Sequence, residues 1–195
     1  MTKLQDDNLS DILQFHMPAS SGLHDYGTHL LAGEINTDSA REVIEFILSA
    51  NLDKESKFSH LNLIINSPGG TFEDGFAVID VMLGSKVSIH TVGIGSICSM
   101  GLLVFIAGKK GKRTLTPNTL IMSHQWSGMV GGKEHELVAS QKEHGLISSM
   151  VMRHLKKHTG MKEKNIRKHL LPPSDVWLDA HQAKELGICD IVKNI

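Results

Sequence analysis

The chain has 195 residues, 41% of them hydrophobic, and its formal net charge of -1 at pH 7 gives no reason to expect nucleic acid or an anionic membrane as its main partner. Two cysteines, Cys98 and Cys189, exclude a disulfide framework, and no apolar run approaches the roughly 20 residues of a membrane span. Because residues 1–7 are also too polar for a signal peptide, we expect a soluble protein of the cytoplasm, with no cofactor and no metal.

Short strand-like runs alternate with helical ones along the first two thirds of the chain. The periodicity predicts strands over residues 28–32, 60–66, 87–92, 113–116 and 120–123. It predicts helices over residues 37–50, capped by Thr37 and Asp38, 72–83 and 99–107. The last of these helices is apolar nearly all round, which is typical of a helix buried inside a domain. This alternation indicates an α/β fold.

A change of character follows Gln125, where a glycine-rich segment leads into a long helical stretch over residues 133–158. A helix of about 26 residues is nearly 40 Å long, more than a domain of this size needs. We therefore expect it to project and to contact a partner subunit. A helix over residues 161–170, a helix over 180–186 capped by Asp179, and a strand over 188–192 complete the predicted elements.

Three separated motifs carry the residues that acyl transfer requires. Ser99 lies where the apolar helix begins, between small residues, in the run Gly95-Ser96-Ile97-Cys98-Ser99-Met100-Gly101. A serine hydroxyl is a weak nucleophile near neutral pH, so it needs a nearby base and a group that orients that base. His124, directly after a short apolar strand, is the candidate base. Asp175, which follows two prolines, is the candidate orienting carboxylate.

The third requirement is a pair of donors for the oxyanion that develops during acyl transfer. An apolar run ends in Asn66-Ser67-Pro68-Gly69-Gly70, and glycine lets the chain approach a substrate closely. The first turn of a helix presents backbone N–H groups that have no partner within the helix. The N–H groups of Gly70 and Met100 are therefore the candidate oxyanion donors.

These motifs together resemble the ClpP (caseinolytic) serine peptidases over residues 61–192. The resemblance rests on Ile65-Asn66-Ser67-Pro68-Gly69-Gly70, on Ser99-Met100-Gly101, on His124-Gln125, and on Asp175 ahead of the run from Trp177 to Gly187. It implies a ClpP/crotonase-like spiral of ββα units with a projecting handle helix. Residues 125–158 would form that handle between face-to-face rings, residues 26–195 one peptidase domain, and residues 1–25 an N-terminal arm.

The same resemblance implies a serine endopeptidase that cuts short or unfolded polypeptides through an acyl-enzyme. It implies Ser99 as nucleophile, His124 as base, Asp175 as orienting residue, and Gly70 with Met100 as oxyanion hole. It also implies self-association into rings and an AAA+ ATP-dependent unfoldase as a candidate partner.

Peptide substrates would lie extended between the segment after Gly70 and the segment after His124, adding strand-like hydrogen bonds. Phe72 and Met100 are expected to line an apolar pocket for the residue before the cut. Trp126 stands where this family usually has proline. The substrate-binding residues are therefore predicted to be Gly69, Phe72, Gln125 and Trp126.

Two other functions stay open at this point. A catalytically inactive ring subunit would keep the fold and act only in assembly, although an intact Ser99, His124 and Asp175 argue against it. An enzyme with the spiral fold could instead act on an acyl-CoA, as crotonases do, without a serine nucleophile. A metal site is not expected: His154 and His158 share one helical face, but no third ligand accompanies them, and we expect this pair on a solvated surface.

Overall fold

The structure is a computed structural model that describes residues 21–53, 58–128 and 131–195. Within these ranges the chain forms seven strands and seven helices. The strands are β1 Thr28–Ala32, β2 His60–Ser67, β3 Ser88–Cys98, β4 Arg113–Leu115, β5 Leu120–Ser123, β6 Val176–Leu178 and β7 Ile191–Val192. The helices are α1 Ser21–His24, α2 Thr37–Leu52, α3 Phe72–Gly84, α4 Met100–Ile106, α5 Glu134–Thr159, α6 Glu163–His169 and α7 Ala180–Glu185.

All seven strands belong to one sheet, whose main path runs β1, β2, β3, β4, β7 with every neighbouring pair parallel. Two strands leave this path: β5 pairs in parallel with the end of β3, and β6 pairs antiparallel with β5. Parallel strands joined by helical crossovers are typical of α/β proteins, because the helices cover the faces of the sheet. The predicted α/β class is confirmed.

The long strand β3 changes partners along its length, and this change carries it to the site described below. Its first part pairs with β2 and β4, whereas Ser96, Ile97 and Cys98 pair with β5. Between the two parts Gly95 adopts a φ of +60°, which glycine tolerates readily. The side chain of Asn66 accepts a hydrogen bond from the Ser96 N–H at 3.1 Å and so holds the bend. The predicted strand over 87–92 covered only the first part.

Helix α4 lies at the centre of the core, as its composition predicts. All seven of its residues are buried, and it contacts α3, α5, β2 and β3.

The N-cap of α2 differs from the prediction by one residue, because the Asn36 side chain accepts hydrogen bonds from the N–H groups of Asp38 and Ser39. Asn36 is therefore the cap, and Thr37 is the first residue of the helix.

Helix α5 divides into an exposed first part and an anchored last part. Val151, His154 and Leu155 are buried, while Leu137, Val138 and Leu146 are exposed. Gly160 caps the end of the helix, and its φ of +77° suits glycine. The predicted helix over 133–158 is confirmed within one residue. None of the helices in the described ranges is both long enough and apolar enough to cross a membrane.

The expectation that His154 and His158 lie on a solvated surface is wrong. His154 is 6% exposed, and its Nε2 atom lies 2.8 Å from the carbonyl oxygen of Leu103 in α4. The two imidazole rings lie 4.4 Å apart between centroids. Burial lowers the pKa of His154 and lowers that of His158 to about 4. These histidines are thus neutral packing groups that attach α5 to α4.

A buried ion pair joins the last strands to the end of α5. Arg113 at the start of β4 is 2% exposed and donates to the Asp190 carboxylate from Nη2 at 2.6 Å and from Nε at 2.9 Å. Its Nη1 donates to the carbonyl of His158. The Asp190 carboxylate also accepts the N–H of Gly111 at 2.7 Å. This pair therefore holds three parts of the chain that are distant in sequence.

Candidate active site

Ser99 lies between the end of β3 and the first residue of α4, in a backbone conformation that serine rarely adopts. Its φ of +52° and ψ of -121° make it the one non-glycine residue with a positive φ in the described part of the chain. Ser99 is the N-cap of α4, yet its side chain makes no capping hydrogen bond. A sharp turn between strand and helix that leaves a hydroxyl uncapped is typical of a nucleophile rather than of a helix cap.

His124 directly follows β5, the strand that pairs with the end of β3. The register matches Cys98 with Met122, and the Ser99 N–H donates to the Met122 carbonyl at 2.9 Å. This pairing places the imidazole beside the serine, with 2.7 Å between His124 Nε2 and Ser99 Oγ. Such a distance is within the reach of direct proton transfer from hydroxyl to imidazole. The two residues are thus brought together across a rigid sheet.

The glycine pair at the end of β2 lies against the same turn. A methyl group built on Gly69 would approach within 2.7 Å of Ser99 Cβ and 3.0 Å of Met100 N, so glycine is needed for this contact. Gly70 is held from the other side, because the N–H of Thr71 donates to the Ile35 carbonyl and the N–H of Ile35 to the Gly69 carbonyl. The segment carrying Gly70 therefore runs directly past the first turn of α4.

Neither candidate oxyanion donor is used within the described residues. The N–H groups of Gly70 and Met100 make no hydrogen bond there, although the neighbouring N–H of Gly69 donates to Ser67 Oγ at 3.1 Å. Met100 is the first residue of α4, where the helix itself provides no acceptor and its dipole favours negative charge. Both groups are free to donate to a substrate oxygen.

Asp175 lies next to His124 along the sheet but makes no hydrogen bond or ion pair with it. Strand β6 begins one residue later and pairs antiparallel with β5, with Ser123 opposite Val176. Continuing this register places Asp175 opposite His124. The side chain of Asp175 is exposed and makes no hydrogen bond to His124 in the described structure. The third member of the predicted triad is therefore a neighbour of His124 in the sheet register but is not hydrogen-bonded to it.

Two of the four predicted substrate-binding residues, Phe72 and Trp126, line a small pocket beside Ser99, whereas Gly69 and Gln125 do not. Phe72, the first residue of α3, and Met100, the first of α4, line this pocket together with Trp126 and Leu171. Gln125 is exposed, and its side-chain amide donates to the Leu171 carbonyl at 3.0 Å. A much larger cavity of about 940 Å³ lies elsewhere, between α1, β1 and α2, and contains none of the predicted residues.

Comparison with known proteins gives the family of this fold and site. A family model for Clp protease matches residues 18–195. The chain belongs to the Clp protease family. It is also 33% identical over 162 residues, which are 83% of this chain and 78% of the relative, to the ATP-dependent Clp protease proteolytic subunit 2 of Thermobifida fusca (strain YX). The resemblance found in the sequence motifs is confirmed.

A cysteine nucleophile and a metal centre both lack support from the described groups around Ser99 in this member of the Clp protease family. Cys98 precedes the serine directly, but it is buried, and burial raises the pKa of its thiol. A protonated thiol is a poor nucleophile, so the surroundings of Cys98 do not favour attack by its sulfur. In the described ranges no three histidine, cysteine, aspartate or glutamate side chains are grouped so that they could hold a metal ion.

Sequence reasoning missed two buried serines whose hydrogen bonds hold the segments of this candidate site. Ser67 is fully buried, and its hydroxyl accepts the Gly69 N–H and so shapes the glycine turn. Ser123 is buried beside His124 and donates to the Leu170 carbonyl at 2.7 Å. A signal for each was available, because both serines sit inside motifs that were already singled out. A buried serine at a strand end needs a hydrogen-bond partner.

Replacing Gly69 by alanine is expected to lower both stability and activity. Its φ of +105° disfavours a side chain by about 1–3 kcal/mol, and the new methyl would also displace Ser99. We expect turnover of a peptide substrate to fall about 100-fold, since small misplacements of reacting groups have effects of that size. The measurement is kcat/KM beside the urea unfolding midpoint.

Gly33 provides the matched control for this substitution. It has a similar φ of +88°, but no atom lies within 4 Å of the added methyl. Gly33→Ala should therefore lose comparable stability and keep its activity. Equal activity loss in both variants would contradict the assigned role of the Gly69 contact.

Proposed function

We propose that this chain is a serine endopeptidase that hydrolyses peptide bonds of short or unfolded polypeptides through an acyl-enzyme at Ser99. One observation carries the proposal: the 2.7 Å contact between Ser99 Oγ and His124 Nε2, made by a serine in a strained turn that no capping bond explains. Strain of this kind persists where the surrounding structure enforces it, often at reactive sites.

The reaction follows from the arrangement of these groups. With the imidazole protonated on Nδ1, the Ser99 hydroxyl donates to Nε2, and its proton moves there as the oxygen attacks the substrate carbonyl. The oxygen of that carbonyl gains negative charge and accepts hydrogen bonds from the N–H groups of Gly70 and Met100. The imidazolium then gives its proton to the leaving amine. Water activated by His124 releases the acyl group in a second, equivalent step.

Asp175 is proposed to orient His124 by accepting a hydrogen bond from Nδ1. Its support is the antiparallel register of β5 and β6, which makes the two residues neighbours. Forming the bond requires the Asp175 side chain to turn from solvent toward the imidazole. A carboxylate in that position would favour the required tautomer and stabilise the imidazolium formed during the reaction.

A serine-reactive fluorophosphonate tests the proposal directly. The purified, assembled protein should be labelled, and digestion followed by mass spectrometry should locate the label on Ser99. Hydrolysis of a short fluorogenic peptide should disappear in proportion to labelling. Absence of labelling in a folded assembly would reject the peptidase and favour the inactive ring subunit, whereas binding of CoA without labelling would favour a crotonase-like activity.

The relative from Thermobifida fusca is named as the proteolytic subunit of an ATP-dependent protease. We propose the same division for this chain: it contributes the peptidase and self-associates into rings, and an AAA+ ATP-dependent unfoldase supplies unfolded substrates. The support for self-association is the exposed part of α5, where Leu137, Val138 and Leu146 are 44%, 62% and 59% exposed. Large apolar side chains left exposed along one part of a helix are groups that another subunit would cover.

Charged substitutions in this part of α5 are expected to dissociate the assembly. Val138→Glu combined with Leu146→Glu replaces two apolar side chains by good helix formers that carry charge. Each lost apolar contact weakens association by about 1.5–3 kcal/mol, and the loss is repeated at every interface. Sedimentation velocity should show a smaller particle with unchanged helix content by circular dichroism.

Gln141→Glu is the control for added charge, since residue 141 is exposed on the same helix and loses no apolar group. That variant should sediment like the unmodified protein. If the double variant sediments like the control, α5 is not the surface through which the subunits associate.

A further inference from the structure

The pocket beside Ser99 is small, and Trp126 is one of the residues that line it. Its volume is about 30 Å³, room for about two water molecules at the roughly 10–15 Å³ of cavity that one needs. The floor is formed by buried residues of α4 and α5, including Met100, Leu102 and Leu155. Trp126 is half-buried and stands at the side, beside Phe72.

The indole of Trp126 is fixed from several directions. The edge of the Phe72 ring meets it at 5.8 Å between centroids, and the imidazole of His144 meets it at 3.9 Å. Its Nε1 donates to the hydroxyl of Ser148 at 3.3 Å. A methyl group built on Gly128 would lie 2.6 Å from indole Cζ3, so this glycine packs closely against the ring. These contacts come from α3, from α5 and from the segment that follows Trp126 itself.

Such a set of contacts makes the indole a fixed wall rather than a mobile cover. Moving it out of the pocket would break the hydrogen bond to Ser148 and the ring contacts with Phe72 and His144 together. Because two of these partners, His144 and Ser148, lie on α5, the indole is held by that helix. The pocket therefore keeps its small volume while a peptide binds at Ser99.

We propose that Trp126 restricts the residue before the cut to a small side chain, with alanine preferred over leucine and phenylalanine. The inference rests on the proposed function, because the pocket receives that side chain only when its carbonyl is attacked by Ser99. A cavity of about 30 Å³ accepts a methyl-sized group. Larger side chains must displace the indole, and pockets discriminate by about 10- to 200-fold for each methylene that fits badly.

A series of peptides that differ only in the residue before the cut tests this assignment. The substrates carry alanine, valine, leucine or phenylalanine there, followed by a fluorogenic amine, and kcat/KM is measured for each. The unmodified protein should cleave the alanine peptide at least about 10-fold faster than the leucine peptide. In Trp126→Ala the leucine and phenylalanine peptides should gain about 10-fold or more relative to alanine, so that the order of preference reverses.

Tyr26→Ala is the matched control, since it also removes an aromatic ring but from a residue that is 79% exposed and away from the pocket. It should leave the order of preference unchanged. Gly128→Ala provides a second variant that keeps the tryptophan: its methyl would displace the indole and should change the ratio of alanine to leucine cleavage. When residue 126 is already alanine, adding Gly128→Ala should change nothing further.

The outcomes separate this inference from the function on which it rests. If the fluorophosphonate labels Ser99 and the unmodified protein cleaves leucine or phenylalanine peptides as fast as the alanine peptide, the role of Trp126 is wrong and the peptidase stands. The role is also wrong if Trp126→Ala and Gly128→Ala both keep the original order of preference. If Ser99 is never labelled, the proposed peptidase itself is rejected.

Discussion

Replacing Ser99 by alanine is expected to lower kcat for peptide hydrolysis by about four to six orders of magnitude and to change KM little. In the proposed mechanism the hydroxyl is the attacking group, and the adjacent Cys98 is not expected to replace it, because burial raises the pKa of its thiol. Fluorogenic peptide turnover at substrate concentrations above and below KM measures the change. The backbone should be tolerated, since alanine at the same φ meets about the same strain as serine.

The second substitution in this experiment is His124→Ala, alone and combined with Ser99→Ala. Groups that act as one unit are strongly non-additive, so the double variant should be about as slow as either single variant. Ser127→Ala is the matched control, because that hydroxyl is exposed and has no hydrogen bond within the described residues. Turnover in Ser99→Ala within about 10-fold of the unmodified protein would exclude this serine as the nucleophile.

Replacing Arg113 by methionine is expected to reduce the free energy of unfolding by about 3–5 kcal/mol. Methionine fills similar space but leaves the Asp190 carboxylate, whose side chain is 16% exposed, without its cation. It also leaves the His158 carbonyl without the donor that Arg113 Nη1 provides. Urea denaturation at pH 7 measures the change, with catalytic activity retained in the folded fraction.

Arg167→Met is the control, since Arg167 pairs with Glu163 at 2.7 Å with both side chains exposed. Surface pairs of that kind contribute about 0–1 kcal/mol, so this variant should be nearly neutral. If both variants lose the same stability, the burial of the Arg113 pair has no special effect.

The contribution of Arg113 should also depend on pH, with a predictable sign. Burial alone would raise the pKa of the Asp190 carboxyl, but hydrogen bonds from Arg113 and from the Gly111 N–H outweigh burial and hold that pKa below its ordinary value. In the unfolded chain the carboxyl has an ordinary pKa of about 3.9. As pH falls, the unfolded chain therefore binds this proton at a higher pH than the folded protein does. The stabilisation is complete well above that pH and is lost as pH falls through the folded pKa. The gap between the unmodified protein and Arg113→Met should therefore be full at pH 7 and narrower near pH 3.5.

Strands and helices long enough to show a hydrophobic period were predictable from the sequence. The strand Thr28–Ala32, the strand Leu120–Ser123 and the long helix Glu134–Thr159 lie within one residue of their predicted bounds. Strand β6 was missed, because Val176, Trp177 and Leu178 are too few to show a period, and only pairing with β5 makes them a strand. The helix Ser21–His24 was missed for the same reason of length.

The site divides along a similar line. The Ser99 and His124 motifs predicted their contact, because each lies at the end of an element that a sheet aligns. The positions of side chains that lie in loops were beyond the reach of sequence patterns. The sequence around Asp175 does not indicate that this residue is exposed and makes no hydrogen bond to the imidazole. The packing of Trp126 against α5 depends on the three-dimensional path of residues 125–128.

The backbone of Ser99 has a consequence for how the protein would change under selection. A φ of +52° with ψ of -121° suits glycine, so serine at this position makes the fold less stable by about 1–3 kcal/mol than glycine would. A population of variants chosen for thermal resistance alone should therefore accumulate Ser99→Gly early. A population chosen for growth on the products of proteolysis should keep serine and find its stability elsewhere. We therefore expect glycine at this turn in lineages selected for thermal resistance alone and serine in lineages selected for proteolysis.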